Sequence, residues 1–231
     1  MDQWQAIVDG WGSSLCPKIE LAALMARNPL SHKWKATYRS IVIRELSIWR
    51  VQDLTAQALF LAKNNRWLGA LILLRSAFEA LAVLVYLNEK TDAVLRGEES
   101  FFAFDELTTR LMIGSKNQST PEESINILTI LKHCDKKYPG IFAMYADLSE
   151  CAHPNYEGMS RGYSKIDDAN FTTVFSNRWD EIERGRLLNG IELCLKTFEH
   201  EYNVVWTVTF TKLEAWLTEN DARLEAERGG A

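Results

Sequence analysis

Apolar residues recur at steps of three and four along nearly the whole chain, and the two-residue alternation of a half-buried strand is almost absent. The pattern predicts an all-α protein. Over residues 31–63, Trp34, Tyr38, Ile41 and Ile48 fall at helical spacing with Val42, Leu46 and Trp49 beside them, so a long amphipathic helix is expected with Ser31 as its cap. Asn64 and Asn65 break it. The most apolar run of the chain, LGALILLRSAFEALAVLVYL at residues 68–87, then opens a second long helix to about Asn88, and the two should form an antiparallel hairpin at the heart of a helical bundle. From about Arg178 to Arg223 the stripe Leu188, Ile191, Leu195, Phe198, Tyr202 and Val205 predicts a long C-terminal helix. Within it VVWTVTFT has strand-like composition, which leaves a strand over residues 204–211 as the alternative.

The shorter elements follow from punctuation. Pro17 suits the first turn of a helix reaching Arg27, which Asn28 and Pro29 end. An acidic segment at 95–100 precedes a helix at 101–113, and the polar loop GSKNQST follows. Thr120, Pro121 and Glu123 read as a helix start, with a cap hydroxyl, a first-turn proline and an acid, for a helix ending near Lys137. Another helix runs from Ile141 to about His153 and is stopped by Pro154. The segment NYEGMSRGYSKIDDANF is polar and glycine-bearing, and reads as an irregular loop able to carry function. The expected organisation is one helical domain over 1–231, with an N-terminal segment at 1–30, a bundle core at 31–176 and the C-terminal helix at 177–231.

Composition narrows the function classes. With 231 residues and 47% hydrophobic content the chain can fill a sizeable core, and its net charge of −5 argues against a surface built throughout for nucleic acid. A local basic cleft remains compatible with that charge. Cys16, Cys134, Cys151 and Cys194 include no CxxC pair, so reduced thiols in a cytoplasmic protein are expected rather than a zinc ribbon or redox dithiol. MDQWQAIVDGWGSS lacks the pattern of a signal peptide. Residues 68–87 could span a bilayer by length, but a central Arg costs roughly 2.5–3.5 kcal/mol on insertion scales. Arg75 and Glu79 therefore point to a buried bundle helix, with no membrane partner.

Those two charges begin the candidate chemistry. On a helix Arg75, Glu79 and Tyr86 share one face, with Ala82 leaving space between them. In YADLSECAHPN, Tyr145, Ser149 and His153 recur at every fourth residue beside the apolar stripe Ile141, Met144, Leu148 and Cys151. Since that stripe must face the core, the three polar groups should border the same interface, with His153 in the last turn where the helix dipole favours a cationic imidazole. The pairs His133 with Cys134 and Cys151 with His153 do not share a face. Glu150 and His153 have the Glu-x-x-His spacing of a di-metal bundle, but the second such pair is missing, so neither metal nor cofactor is expected. Trp4, Trp11, Trp34, Trp49 and Trp67 belong to a tryptophan set larger than packing needs, which suggests a subunit or ligand interface.

RSAFEALAVLVYL followed by YADLSECAHPN resembles a group of uncharacterised bacterial all-helical proteins that is itself similar to the HEPN superfamily of toxins and phage-defence proteins, over roughly residues 34–163. The resemblance implies a homodimeric, metal-independent ribonuclease in which an Arg and a His meet. The usual Arg-to-His motif has one match, RNPLSH from Arg27 to His32, early in the chain and interrupted by Pro29. A carried-over activity would instead use Arg75 to hold a phosphate and His153 to exchange protons with the ribose hydroxyl, with Glu79 orienting the Arg. Tyr145, Ser149, Asn155, Tyr156 and Arg161 are the candidate ligand contacts. RNA, a second copy and a protein partner are the expected partners. The alternative is a non-catalytic helical binding or assembly module in which Arg75, Glu79 and His153 form a structural network.

Overall fold

The computed structural model describes residues 1–229 and is all-α apart from one small hairpin. Its helices are α1 (Asp2–Ser14), α2 (Leu21–Arg27), α3 (Ala36–Lys63), α4 (Trp67–Leu95), α5 (Phe101–Ile113), α6 (Ile127–Lys137), α7 (Ile141–Ala152), α8 (Arg161–Tyr163), α9 (Trp179–His200) and α10 (Trp206–Gly229). The strands β1 (Ser164–Asp167) and β2 (Thr172–Phe175) pair antiparallel between α8 and α9. The chain forms two compact units. One comprises Met1–Leu15, Ile48–Ala82 and Leu131–Thr197, and the other Cys16–Ser47, Val83–Ile130 and the chain from Phe198 on.

The helical hairpin forms as its pattern predicts, and its turn has a local cause. Asn65 takes the left-handed φ of +58°, Arg66 N–H donates to Leu61 O at 2.8 Å and Asn65 N–H to Ala62 O at 3.1 Å, the two bonds that close off a helix C-terminus. In the first unit Ala70, Leu71, Leu74, Ala77, Phe78 and Leu81 of α4 are buried, as are Ile141, Tyr145, Leu148 and Cys151 of α7 and Leu187, Ile191 and Cys194 of α9. A Cβ at Gly190 would stand 2.8 Å from a terminal methyl of Leu74 and 3.5 Å from the Met144 sulfur, so α9 passes close to α4 and α7 at this glycine. α4 is long and apolar enough to cross a membrane by length and composition, and 56% of its most apolar window is buried.

In the second unit Trp34, Ile43, Leu87, Val94, Phe101, Phe104, Leu213 and Leu217 form the core. The strand alternative for 204–211 is corrected: Glu201–Val205 is a π-helical turn that leads directly into α10. The Arg44 guanidinium lies 3.4 Å from the Tyr202 ring centroid and 4.5 Å from that of Trp206, so aromatic residues of strand-like propensity stack on a cation along a helix face. The fully buried Glu201 accepts from Asn88 Nδ2 at 2.7 Å. With its amide engaged there, Asn88 is no helix stop, and α4 runs on to Leu95, closed by Gly97 at φ +73°.

Four further boundaries differ from the sequence pattern. Pro17 lies outside α2, which begins at Leu21. Thr120 does not open a helix: its hydroxyl donates to Ile113 O, Ser115 N–H reaches Glu122 O at 2.8 Å, and the segment folds back on the end of α5. Asn126 caps α6 instead, its Oδ1 accepting from Leu128 N–H at 2.9 Å. Ser31 is buried in a 3-10 turn, Pro29–His32, that Asn28 caps, and α3 begins only at Ala36. The segment after Pro154 is ordered rather than irregular, as a π-helical turn (Tyr156–Ser160), α8 and the β-hairpin.

Candidate functional site

The polar groups on α4 and α7 converge in the first unit. Arg75 Nε donates to Ser149 Oγ at 2.8 Å and its Nη2 to Tyr145 OH at 2.6 Å, while Nη1 stands 3.3 Å from Glu79 Oε1. Tyr145 OH donates in turn to Glu79 Oε1 at 3.0 Å, and Ser149 Oγ to the Tyr145 carbonyl at 2.8 Å. Each polar side chain of the cluster therefore makes at least two polar contacts, Ser149 with one side chain and one backbone carbonyl. The arrangement follows from period: Arg75 and Glu79 lie one turn apart beside the buried Leu74 and Phe78, and Tyr145 and Ser149 lie one turn apart beside Leu148.

The cluster borders solvent, with 29% of the Arg75 side chain and 23% of the Glu79 side chain exposed. Burial, with the Glu79 carboxylate beside it, raises the Tyr145 phenol above its ordinary value, so at neutral pH this hydroxyl holds its proton and donates it to Glu79. Charge within the cluster is balanced by the ion pair. What the four side chains supply is a fixed, hydrogen-bonded cation at a helix seam.

His153 is not part of this cluster. α7 ends at Ala152, and His153 takes extended backbone, φ −90° and ψ 147°, as the residue before a proline is driven to do. Its ring is exposed, outside the last turn where it was expected, and makes no hydrogen bond or ion pair among the described residues. Tyr86, two turns beyond Glu79 along α4, has Lys90 Nζ 5.5 Å from its ring centroid. Asn155 is spent locally, its Oδ1 accepting from Gly158 N–H at 3.0 Å and its Nδ2 donating to Glu150 at 2.7 Å. Tyr156 is exposed.

Arg161 anchors a second cluster in the same unit, one that sequence reasoning left out apart from Arg161 itself. It binds Glu157 at 2.8 Å and Glu183 at 2.7 Å, and Glu183, fully buried at the start of α9, also meets Arg186 Nη1 at 3.1 Å. Asp147, Glu150, Glu157, Arg161 and Arg186 line a cavity of about 380 Å³. Beneath it burial raises the Cys151 thiol, with Glu183 adding to the shift, so this sulfur stays protonated and is a poor nucleophile. The signal for Glu183 was present in the chain: it stands in the apolar stripe Trp179, Leu187, Ile191, an acid where a hydrophobic residue belongs. Among the described residues no His, Cys, Asp and Glu side chains gather in the number that a metal ion requires.

Comparison with family models, with characterised proteins and with solved structures finds no match to this chain.

Proposed function

We propose that this protein is a non-catalytic helical binding and assembly module whose Arg75 cluster is structural. The observation that supports this reading is that Ser149, Tyr145 and Glu79 engage all three nitrogens of the Arg75 guanidinium while His153 stands outside the cluster. A half-buried, hydrogen-bonded ion pair of this kind specifies helix register more than it adds stability. The partner is a second copy or another protein in the cytoplasm. Incubation with mixed RNA tests the proposal, comparing wild type with Arg75→Ala and His153→Ala. No cleavage is expected from any of the three, and cleavage by wild type that both substitutions abolish overturns the reading.

The second reading is a HEPN-like, metal-independent ribonuclease of a defence or toxin system. The exposed fraction of Arg75 and Glu79 favours it, because a phosphate could reach the guanidinium from solvent. In that case His153 would have to approach a substrate held at Arg75. The same three proteins and the same RNA separate the two readings.

A further inference from the structure

The β1–β2 hairpin is the one strand pair among the described residues, and neither of its faces is covered. Phe171 is 96% exposed, Phe175 80% and Ile166 69%. An isolated two-stranded hairpin is marginal in water, and exposed aromatic and β-branched side chains on it mark a contact surface. Its base is fixed, by Tyr163 packed edge-on against the buried Trp179 at 5.8 Å, by Ser176 N–H donating to Tyr163 O, and by Arg178 N–H donating to Gly162 O.

Register decides which backbone groups are free. Ser164 opposes Phe175, Lys165 opposes Val174, Ile166 opposes Thr173 and Asp167 opposes Thr172. The bond from Ser176 to Tyr163 makes that pair a hydrogen-bonded one, and such pairs alternate. Lys165 with Val174 and Asp167 with Thr172 therefore exchange the bonds inside the hairpin. The N–H and C=O of Ile166 point away from β2, along an open edge.

Resting on the assembly reading above, we infer that β1 pairs antiparallel with β1 of a second copy across a two-fold axis at Ile166, giving a four-stranded sheet in the order β2, β1, partner β1, partner β2. The strand is built to pair with itself. In this register Ile166 faces Ile166 of the other copy and exchanges both of its outward bonds with it. Lys165 falls opposite the other copy's Asp167, and Ser164 opposite its Asp168. The side chains of Lys165 and Asp168 are both exposed and make no ion pair or hydrogen bond among the described residues. Arg178 already reaches this edge, donating to Ser164 O at 2.9 Å, and so meets the incoming Asp168. By symmetry each charge pair forms twice, with no like charges opposed. The contact is short, below the size of a standard interface, so the dimer is weak and concentration-dependent.

Sedimentation of the full chain at concentrations on the order of 10–500 μM tests it. Wild type is expected to move from 26.4 kDa toward twice that mass as concentration rises. Ile166→Pro removes only an outward N–H, which the hairpin does not use, and should hold the chain monomeric with unchanged circular dichroism. Lys165→Glu should weaken the dimer about tenfold or more, and the swap Lys165→Asp with Asp167→Lys should restore it, since opposite charges again face each other. A monomeric wild type over the whole range overturns the inference. So does a dimer untouched by Ile166→Pro and Lys165→Glu, although that result leaves assembly through another surface standing. RNA enters neither measurement, so failure here is distinct from failure of the module reading.

Discussion

Arg75 and Tyr145 meet twice: the guanidinium donates to the Tyr145 hydroxyl at 2.6 Å and its carbon stands 4.8 Å from the centroid of the same ring. The phenol oxygen thus accepts from a cation and donates to Glu79, which joins α4 to α7 through one side chain.

Removal of that oxygen should be costly for its size. Tyr145→Phe leaves Arg75 Nη2 and Glu79 Oε1 each short of a partner in a half-buried seam, and is expected to destabilise the protein by about 1–2 kcal/mol. Urea midpoints of Tyr145→Phe, Glu79→Gln and the double variant measure it. The double variant should lose less than the sum of the two, because both substitutions break one network.

Alkaline pH should unfold the protein through its phenols. Burial raises Tyr145 and Tyr202, with the Glu79 and Glu45 carboxylates adding to it, although Arg44 opposes the shift at Tyr202. The folded chain then keeps protons that the unfolded chain releases, so stability is complete below about pH 10 and falls as pH rises beyond it. Tyr202→Phe should make the decline of the urea midpoint between about pH 9 and 11 shallower than in wild type.

The turn after α7 should reject any side chain at Gly158. A Cβ there would stand 1.9 Å from His153 O and 2.8 Å from Cys151 O, both backbone atoms that cannot swing aside. Gly158→Ala is expected to cost at least about 2 kcal/mol, near the upper range for overpacking. At 2–4 °C per kcal/mol for a chain of this size, calorimetry should find Tm lower by about 4–8 °C.

Asn88 should matter more than an asparagine on an apolar helix normally would. Its amide donates to the fully buried Glu201 carboxylate, so Asn88→Ala removes a hydrogen bond to a buried charge and should cost about 1.5–3 kcal/mol. Chemical denaturation monitored by circular dichroism checks this, and Glu201→Gln, which can still accept from Asn88, should cost less.

Period alone was enough to read the long helices, because burying a helix demands apolar residues at three- and four-residue steps whatever the neighbours are. The hairpin of α3 and α4, the bounds of α5 and the meeting of Arg75 and Glu79 with Tyr145 and Ser149 were all legible on that basis. A full charge inside an apolar stripe needs a partner, and a second polar stripe can supply one. Local signals that several contacts compete for were not legible. Thr120 carries the residues of a helix cap yet spends its hydroxyl on Ile113 O, and VVWTVTFT stays helical because Arg44 stacks between Tyr202 and Trp206. His153 lies one residue past its helix because Pro154 excludes α-conformation before it, and from sequence spacing alone that single step could not be told from a last helical turn. Glu183 stands out as an acid in an apolar stripe, but its partner Arg161 lies 22 residues back along the chain, which spacing does not reveal. The sequence by itself determined which faces must be buried; only the tertiary structure decided which polar groups those faces bring within 3 Å of one another, since a hydrogen bond is fixed by distance in space and periodicity speaks only of distance along the chain.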